Sequence, residues 1–385
     1  MDNICNSGFK FDKNFDKMYF PTQIEEINSR IRAIDPILYA VNRNFTDGNV
    51  SYLSPYLSRG VISLKQIVEN LKDRNFTFLE CETFVKELAW REYYQRIWNH
   101  LGEDLFKDQF CEQKNVENEG IPSQLENASL GIQIINQGIQ ELLQTGYMHN
   151  HQRMYLSSVL CNIGKYHWKF PAKWMYYYLL DGDLASNTLS WQWVAGTFSQ
   201  KKYVANQDNI NNFTKSFEKG TYLDVSYENL PQLPIPTYLD NPIIPTFNCE
   251  IPLFRNQINI KKGSPVYIYN YYNLDPNWNS TEEQNNLLLL EPSQFEKYPI
   301  CPKGMQFMLD LSKNIKSIQY FVGEFSELEK NLLGESIIFK QHPLNSHYKG
   351  TEVSRDWLFP EIVTYFSSFS KFWKTCRPMA MDLFS

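Results

Sequence analysis

From about residue 22 to 220, apolar residues recur at three- and four-residue spacing in segments of about 10–18 residues. Strand-like alternation is scarce there. The spacing predicts helices over Ser63–Asn70, Phe78–His100, Ser129–Leu143, His151–Gly164, Pro171–Leu180 and Leu184–Phe198. Gly60, Gly102, Gly120, Gly146 and Gly182 punctuate them, as helix ends should. The texture changes after about residue 228. Prolines at 231, 234, 236, 242, 245 and 252 favour extended backbone, so this stretch reads as a strap or bridge. Beyond it, strands are expected over Val266–Tyr272, Leu287–Leu290, Ile318–Val322 and Ser336–Phe339, with helices over Pro302–Asn314 and Glu324–Leu333. Strands alternating with helices point to a small parallel α/β unit. Gly323 stands alone, so no nucleotide-binding glycine fingerprint can be claimed there. The expected fold is mostly α. A helical domain over 1–229 and a Pro-rich linker over 230–262 lead into a small α/β domain over 263–385.

Composition narrows the function classes. A chain of 385 residues suits two or three domains and a large core. A net charge of −6 excludes a wholesale basic DNA-coating protein but leaves room for a local basic groove. One candidate is the island of Arg153, Lys165, Lys169, Lys173, Lys201 and Lys202, set against Asp181 and Asp183. Met1–Lys17 has no apolar core of a secretory signal, and no apolar run approaches membrane-spanning length. Seven scattered cysteines without a CxxC suggest reduced thiols in a cytoplasmic protein and no metal centre. The load of 24 Tyr, 26 Phe and 9 Trp suits stacking on planar rings only if position supports it.

Four segments carry candidate chemistry. In Glu87-Leu-Ala-Trp90-Arg91-Glu-Tyr-Tyr94, positions 87, 90, 91 and 94 share a helical face. A carboxylate, indole, guanidinium and phenol side by side could be an amphipathic ion-paired face, or a wall for a planar ligand. In Met148–Met154, Asn150, Arg153 and Met154 share a face, while His149 and His151 are wrongly spaced for helical metal ligands. In Asp181–Trp193, Asp183 is a good N-cap, and Asp183, Asn187 and Trp191 follow at four-residue spacing, with Trp193 to another side. Capping alone leaves Asp181, Asn187 and two tryptophans unexplained. In Ser51–Leu57, two hydroxyls three apart precede a helix; they could hold phosphate oxygens or simply cap.

Together and in this order, these segments, with Tyr39 and Arg43-Asn44, resemble the FAD-binding domain of the DNA photolyase and cryptochrome family over about residues 30–230. The resemblance implies an all-helical domain holding FAD folded into a U. It would place Tyr39, Ser51, Leu53 and Ser54 at the FAD phosphates and Arg91 against FAD. Arg153 and Asp181 would form an ion pair flanking the flavin, with Asp183 at the ring's polar edge and Asn187 at flavin N5. Glu87, Trp90, Asn150, Met154 and Trp193 would contact a pyrimidine dimer flipped out of DNA. The (6-4) branch of the family carries histidines where Asn150 and Met154 stand. Trp191 and Trp168 match the proximal and middle members of the family's electron relay. No Trp occupies 101–128, where the distal member should lie, so Trp174 or an exposed Tyr would have to substitute. Asn136 stands where an aspartate is expected, and the family's usual N-terminal antenna domain is missing ahead of the helices. The C-terminal α/β stretch could be its permuted counterpart.

The implied activity is a light-driven lyase. Photoexcited reduced FAD would split cyclobutane pyrimidine dimers in damaged DNA, with Glu87 hydrogen-bonding a pyrimidine carbonyl. A monomer is expected. A cryptochrome-like photoreceptor without repair activity is the alternative. The sequence leaves the antenna chromophore and the preference for single- or double-stranded DNA undetermined.

Overall fold

The structure is a computed structural model that describes residues 19–385 apart from 200, 255–256, 279–284 and 333. The expectation for Met1–Lys17 therefore lies outside the described residues. Among the described residues, ten α-helices build the first part. They are α1 (Ile24–Arg32), α2 (Pro36–Asn42), α3 (Ser54–Ser58), α4 (Leu64–Asp73), α5 (Phe78–Leu101), α6 (Gln133–Thr145), α7 (Asn150–Ser158), α8 (Lys169–Tyr178), α9 (Leu184–Ala195) and α10 (Gln207–Thr214). Several of their starts follow capping chemistry. Ser63 with Gln66 and Thr77 with Glu80 form reciprocal capping boxes for α4 and α5. Asp35 caps α2 by accepting from the Ile37 and Leu38 N–H groups. The α7 helix runs on into a π turn at Val159–Ile163, which absorbs the end of the longer helix the periodicity predicts.

The proline-rich stretch is more ordered than a plain extended strap. It contains single 3₁₀ turns at Leu230–Gln232 and Thr237–Leu239. Its strand β2 (Pro242–Ile243) pairs antiparallel with β1 (Ile121–Pro122), which ties it back to the helical part.

Next come β3 (Val266–Tyr269), β4 (Asn285–Leu290), β5 (Gln319–Val322), β6 (Ile337–Lys340) and β7 (Thr351–Val353). They form one parallel sheet in the order β5-β4-β3-β6-β7. Both neighbours of β3 share its register at Val266, which faces Asn285 on one side and Ile337 on the other. Residues 285–290 of β4 are buried on both faces, which is why a continuous Leu run suits this position better than alternation. Helices α11 (Pro292–Lys297), α12 (Pro302–Ser312) and α13 (Phe325–Asn331) lie between the strands in sequence. Among the elements that escaped the sequence reading are β7 and α14 (Phe369–Asp382), along with the short α11, β1 and β2. β7 is only three residues, and α14 carries Pro378 inside it.

The cores explain how the parts meet. One apolar cluster runs from α1, α4 and α5 through Tyr269, Leu288 and Leu290 of the sheet to Phe372, Cys376 and Ala380 of α14. Those last three residues recur every four positions, the stripe a helix buries. A second cluster holds Trp168, Trp174 and Trp191 among α6–α9. Gly60 sits where the two parts touch. A Cβ there would lie 2.4 Å from the Tyr272 carbonyl oxygen, and φ is +62°. Among the described residues, no helix is long and apolar enough to cross a membrane.

Candidate functional site

Two aspartates at the entry to α9 anchor the site. The chain turns through Gly182, where a Cβ would sit 3.0 Å from the Tyr176 carbonyl oxygen. Asp183 then caps α9 by accepting from the Ser186 N–H at 2.8 Å. Its carboxylate is buried and also accepts from Gln95 Nε2 at 2.8 and 2.6 Å, with Arg91 Nη2 3.4 Å away. Burial alone would raise the Asp183 pKa. The Arg91 charge and the Ser186 bonds outweigh it and hold the carboxyl below its ordinary value. Asp183 is therefore a fixed negative charge.

Asp181, two residues earlier, faces a different set. Its Oδ2 accepts from Arg153 Nη2 at 2.9 Å and from Ser54 Oγ at 2.6 Å, while Ser58 Oγ bonds its backbone oxygen at 2.8 Å. Arg153 is steered there by a bond from its Nε to the Met148 carbonyl at 2.7 Å. Asp181 Oδ1 is buried and has no partner among the described residues. A buried carboxylate oxygen left unbonded is costly, and a ligand donor would satisfy it. Asn187, one turn into α9, donates its Nδ2 to the Ala172 carbonyl at 2.9 Å. That orients the amide so that its oxygen is the atom available to a ligand.

The α5 face is assembled as its spacing predicts, but its members have different neighbours. Arg91 turns to Asp183, and Glu87 faces Arg43 Nη2 at 3.4 Å. Burial raises the Glu87 pKa, with Arg43 opposing. Tyr39 packs edge-on against Phe84 at 4.9 Å, under Arg43. Leu53 is buried, and Tyr52 beside it holds φ at +51°. Trp90 is stacked on Phe369 of α14, with ring centroids 3.6 Å apart and planes 11° apart. Trp193 instead stacks on Tyr203 at 5.6 Å. Asn150 Nδ2 reaches Met154 Sδ at 3.6 Å, so those two share one exposed helical edge as expected.

Residues 84–247 match the FAD binding domain of DNA photolyase. The helical part of this chain is thus similar to the FAD-binding part of photolyases. The chain is similar to the deoxyribodipyrimidine photo-lyase of Alkalihalophilus pseudofirmus, 29% identical over 203 residues that make up 51% of this chain and 42% of that protein. It is also similar to that of Agrobacterium fabrum, 31% identical over 193 residues, covering 48% and 40%. A bacterial class III photolyase structure from Agrobacterium tumefaciens superposes with a TM-score of 0.41 at 28% identity, covering 48% of this chain and 40% of that one. The chain thus spans less than half the length of these two curated relatives.

Within this photolyase-type part, several roles expected of single residues are shared. The Ser54 hydroxyl is engaged by Asp181, so of the two serines only Ser51 keeps its hydroxyl for a phosphate. The basic island is partly neutralised. Arg153 is paired with Asp181 and Lys165 with Glu117, while Lys202 donates to the Lys114 carbonyl and keeps its charge. Trp174, the other tryptophan offered for the relay, is buried.

Gln95 and Arg59 were missed by the sequence reading. Gln95 lies one turn beyond Arg91 on the same α5 face, so the spacing could have found it. Its Oε1 accepts from Arg355 Nη2 at 2.8 Å, a partner 260 residues away that carries no sequence signal. Arg59 is fully buried. It donates to the Gly182 carbonyl and lies 3.4 Å above the Tyr271 ring.

Proposed function

We propose that this protein binds FAD in the helical part and uses blue light to split cyclobutane pyrimidine dimers in damaged DNA. What carries the reading is the paired aspartates. Asp183 is ionised and oriented by three partners, and Asp181 is ion-paired to Arg153 with one buried oxygen still unbonded. Those groups suit the polar edge of a flavin and an adenine amine. Tyr39, Ser51, Leu53, Ser54 and Arg91 would complete the cradle, with Ser54 acting through Asp181. Photoexcited reduced FAD, when bound, supplies the electron that opens the dimer. The Asn187 oxygen would accept a hydrogen bond from a ring N–H. Asp183, kept negative, would hold the ring edge in one orientation.

A dimer inside a duplex cannot reach a buried ring, so it must flip out. Trp90 would stack on a base, its indole plane fixed by Phe369 and flanked by Tyr94. Trp193, Asn150 and Met154 would supply the remaining wall. Glu87, its pKa raised by burial, would share a proton with a pyrimidine carbonyl and steady the charge that builds there. Trp191 and Trp168, both buried in one core, would pass electrons toward the cofactor. We further propose that 1–229 is the FAD-binding domain, 230–262 its linker and 263–385 the α/β domain, in a monomeric cytoplasmic protein.

The test is repair itself. Reduced, FAD-loaded protein is given a thymine-dimer oligonucleotide, single- or double-stranded, in blue light and in darkness. Light-dependent return of intact thymines is expected. Bound flavin without repair on either substrate would refute the reading and favour a cryptochrome-like receptor.

A further inference from the structure

Trp168 has a partner that the sequence reading did not anticipate. Its indole Nε1–H donates to Asp108 Oδ1 at 2.7 Å, a charge-assisted length. The contact is built rather than incidental. Asp108 Oδ2 accepts from the Gln113 N–H at 2.9 Å, and Gln113 Oε1 accepts from the Trp168 N–H at 2.9 Å. One loop thus holds both the backbone and the ring of Trp168. The indole is only 2% exposed, whereas the Asp108 side chain is 15% exposed and so reaches water. His167 lies beside the ring, and the Lys169 ammonium sits 6.0 Å from its centroid. A nearby cation opposes positive charge on the indole.

We infer that Asp108 takes the indole proton when Trp168 is oxidised, so that the electron relay ends at this tryptophan and needs no distal member. The inference rests on the proposed relay through Trp191 and Trp168. The oxidant is photoexcited, oxidised FAD, which takes one electron from Trp191. Trp191 recovers it from Trp168. The Trp168 radical cation then breaks its Nε1–H bond, and the proton forms an O–H bond on Asp108, leaving a neutral indolyl radical and a carboxylic acid. The acid gives the proton to water at its exposed edge, and the radical waits for an external thiol reductant. Loss of the proton blocks electron return, because the neutral radical is a much poorer electron acceptor than the cation.

The experiment is flash excitation of the full chain loaded with oxidised FAD, following the distinct absorbances of cationic and neutral indolyl radicals. The wild type is expected to give the neutral radical, formed more slowly in D2O. Asp108→Asn keeps an acceptor oxygen but lacks the base. It should leave the cation and shorten the charge-separated lifetime by about tenfold or more. Asp108→Glu should restore the neutral radical. The same neutral radical at the same rate in Asp108→Asn would overturn the proposal, as would a wild-type radical that stays cationic without a D2O effect. An undiminished radical yield in Trp168→Phe would instead show that the relay reading itself is wrong. In the dark, the ¹⁵N-indole N–H resonance of Trp168 should lie downfield in the wild type and move upfield in Asp108→Asn, a readout that needs no photochemistry.

Discussion

Replacing Gln95 with Met tests whether Asp183 is held as the site requires. Met has similar length and apolar volume, so the main loss is polar. The wild-type amide donates to both Asp183 oxygens at 2.8 and 2.6 Å and accepts from Arg355 at 2.8 Å, all in a buried setting. A bond to a charged group contributes about 1.5–3 kcal/mol, and leaving Arg355 short of a partner adds to the loss, for a total of about 2–4 kcal/mol. That is a large share of a typical stability of about 5–15 kcal/mol. The assay is urea unfolding of the full chain followed by circular dichroism, with cofactor affinity measured in parallel. The sign with pH follows from linkage. Asp183 has a depressed pKa in the folded state, so its stabilisation is full above the unfolded value of about 3.9 and fades as pH falls through the folded value. The gap between wild type and Gln95→Met should therefore be widest near neutral pH and close in acid. A change below about 0.5 kcal/mol at neutral pH, within the range of ordinary surface substitutions, would refute the reasoning. Arg355→Met should be strongly non-additive with it, because both act through one amide.

Three further outcomes follow from the same geometry. Trp90→Ala should weaken binding of dimer-containing DNA far more than binding of FAD, compared by filter binding and flavin fluorescence; equal losses would place Trp90 outside the substrate wall. Asn187→Ala gives up one neutral bond to the Ala172 carbonyl, costing about 1 kcal/mol of stability, and should shift the FAD reduction potential while the fold persists. His149 is buried with its pKa lowered to about 4 by burial first, then by His151 and Arg153. The unfolded chain takes up that proton first, so stability should fall as pH drops from about 6.5 toward 4, and His149→Gln should flatten that slope in a pH series of melts.

Much of this was legible in the sequence because local rules and tertiary demands agree there. The Ser63 and Thr77 boxes, the Asp183 cap and the Leu287–Leu290 run each satisfy a short-range rule at the place where packing also wants them. The Arg153–Asp181 pair, expected only from family resemblance, is present at 2.9 Å. The unreadable parts are long-range or disguised. Arg355 reaches Gln95 across 260 residues, and no periodicity encodes that. Helix α14 hides behind Pro378, which local propensity counts against a helix although the contacts of Phe372, Cys376 and Ala380 sustain it. Ser54 shows the limit of motif reasoning. A hydroxyl ahead of a helix looks like a phosphate ligand until the structure aims it at a carboxylate.

The reach of the C-terminal chain into α5 also sets an order of events during synthesis. Glu92 is buried and accepts from the Leu358 and Phe359 N–H groups, and Arg96 donates to the Phe359 and Ile362 carbonyls. Together with Gln95 and Arg355, these contacts join a helix made early to a segment made near the end. A nascent chain that stops after the helical part therefore carries an α5 whose Glu92 and Arg96 have each other, and whose Gln95 has Asp183, but whose bonds to 355–362 are left to water. Closing such distant contacts is slow, because the entropy of a long loop must be overcome before they form. The Arg355 support behind Gln95, and through it behind Asp183, is thus completed last, and cofactor capture should tighten at that late step.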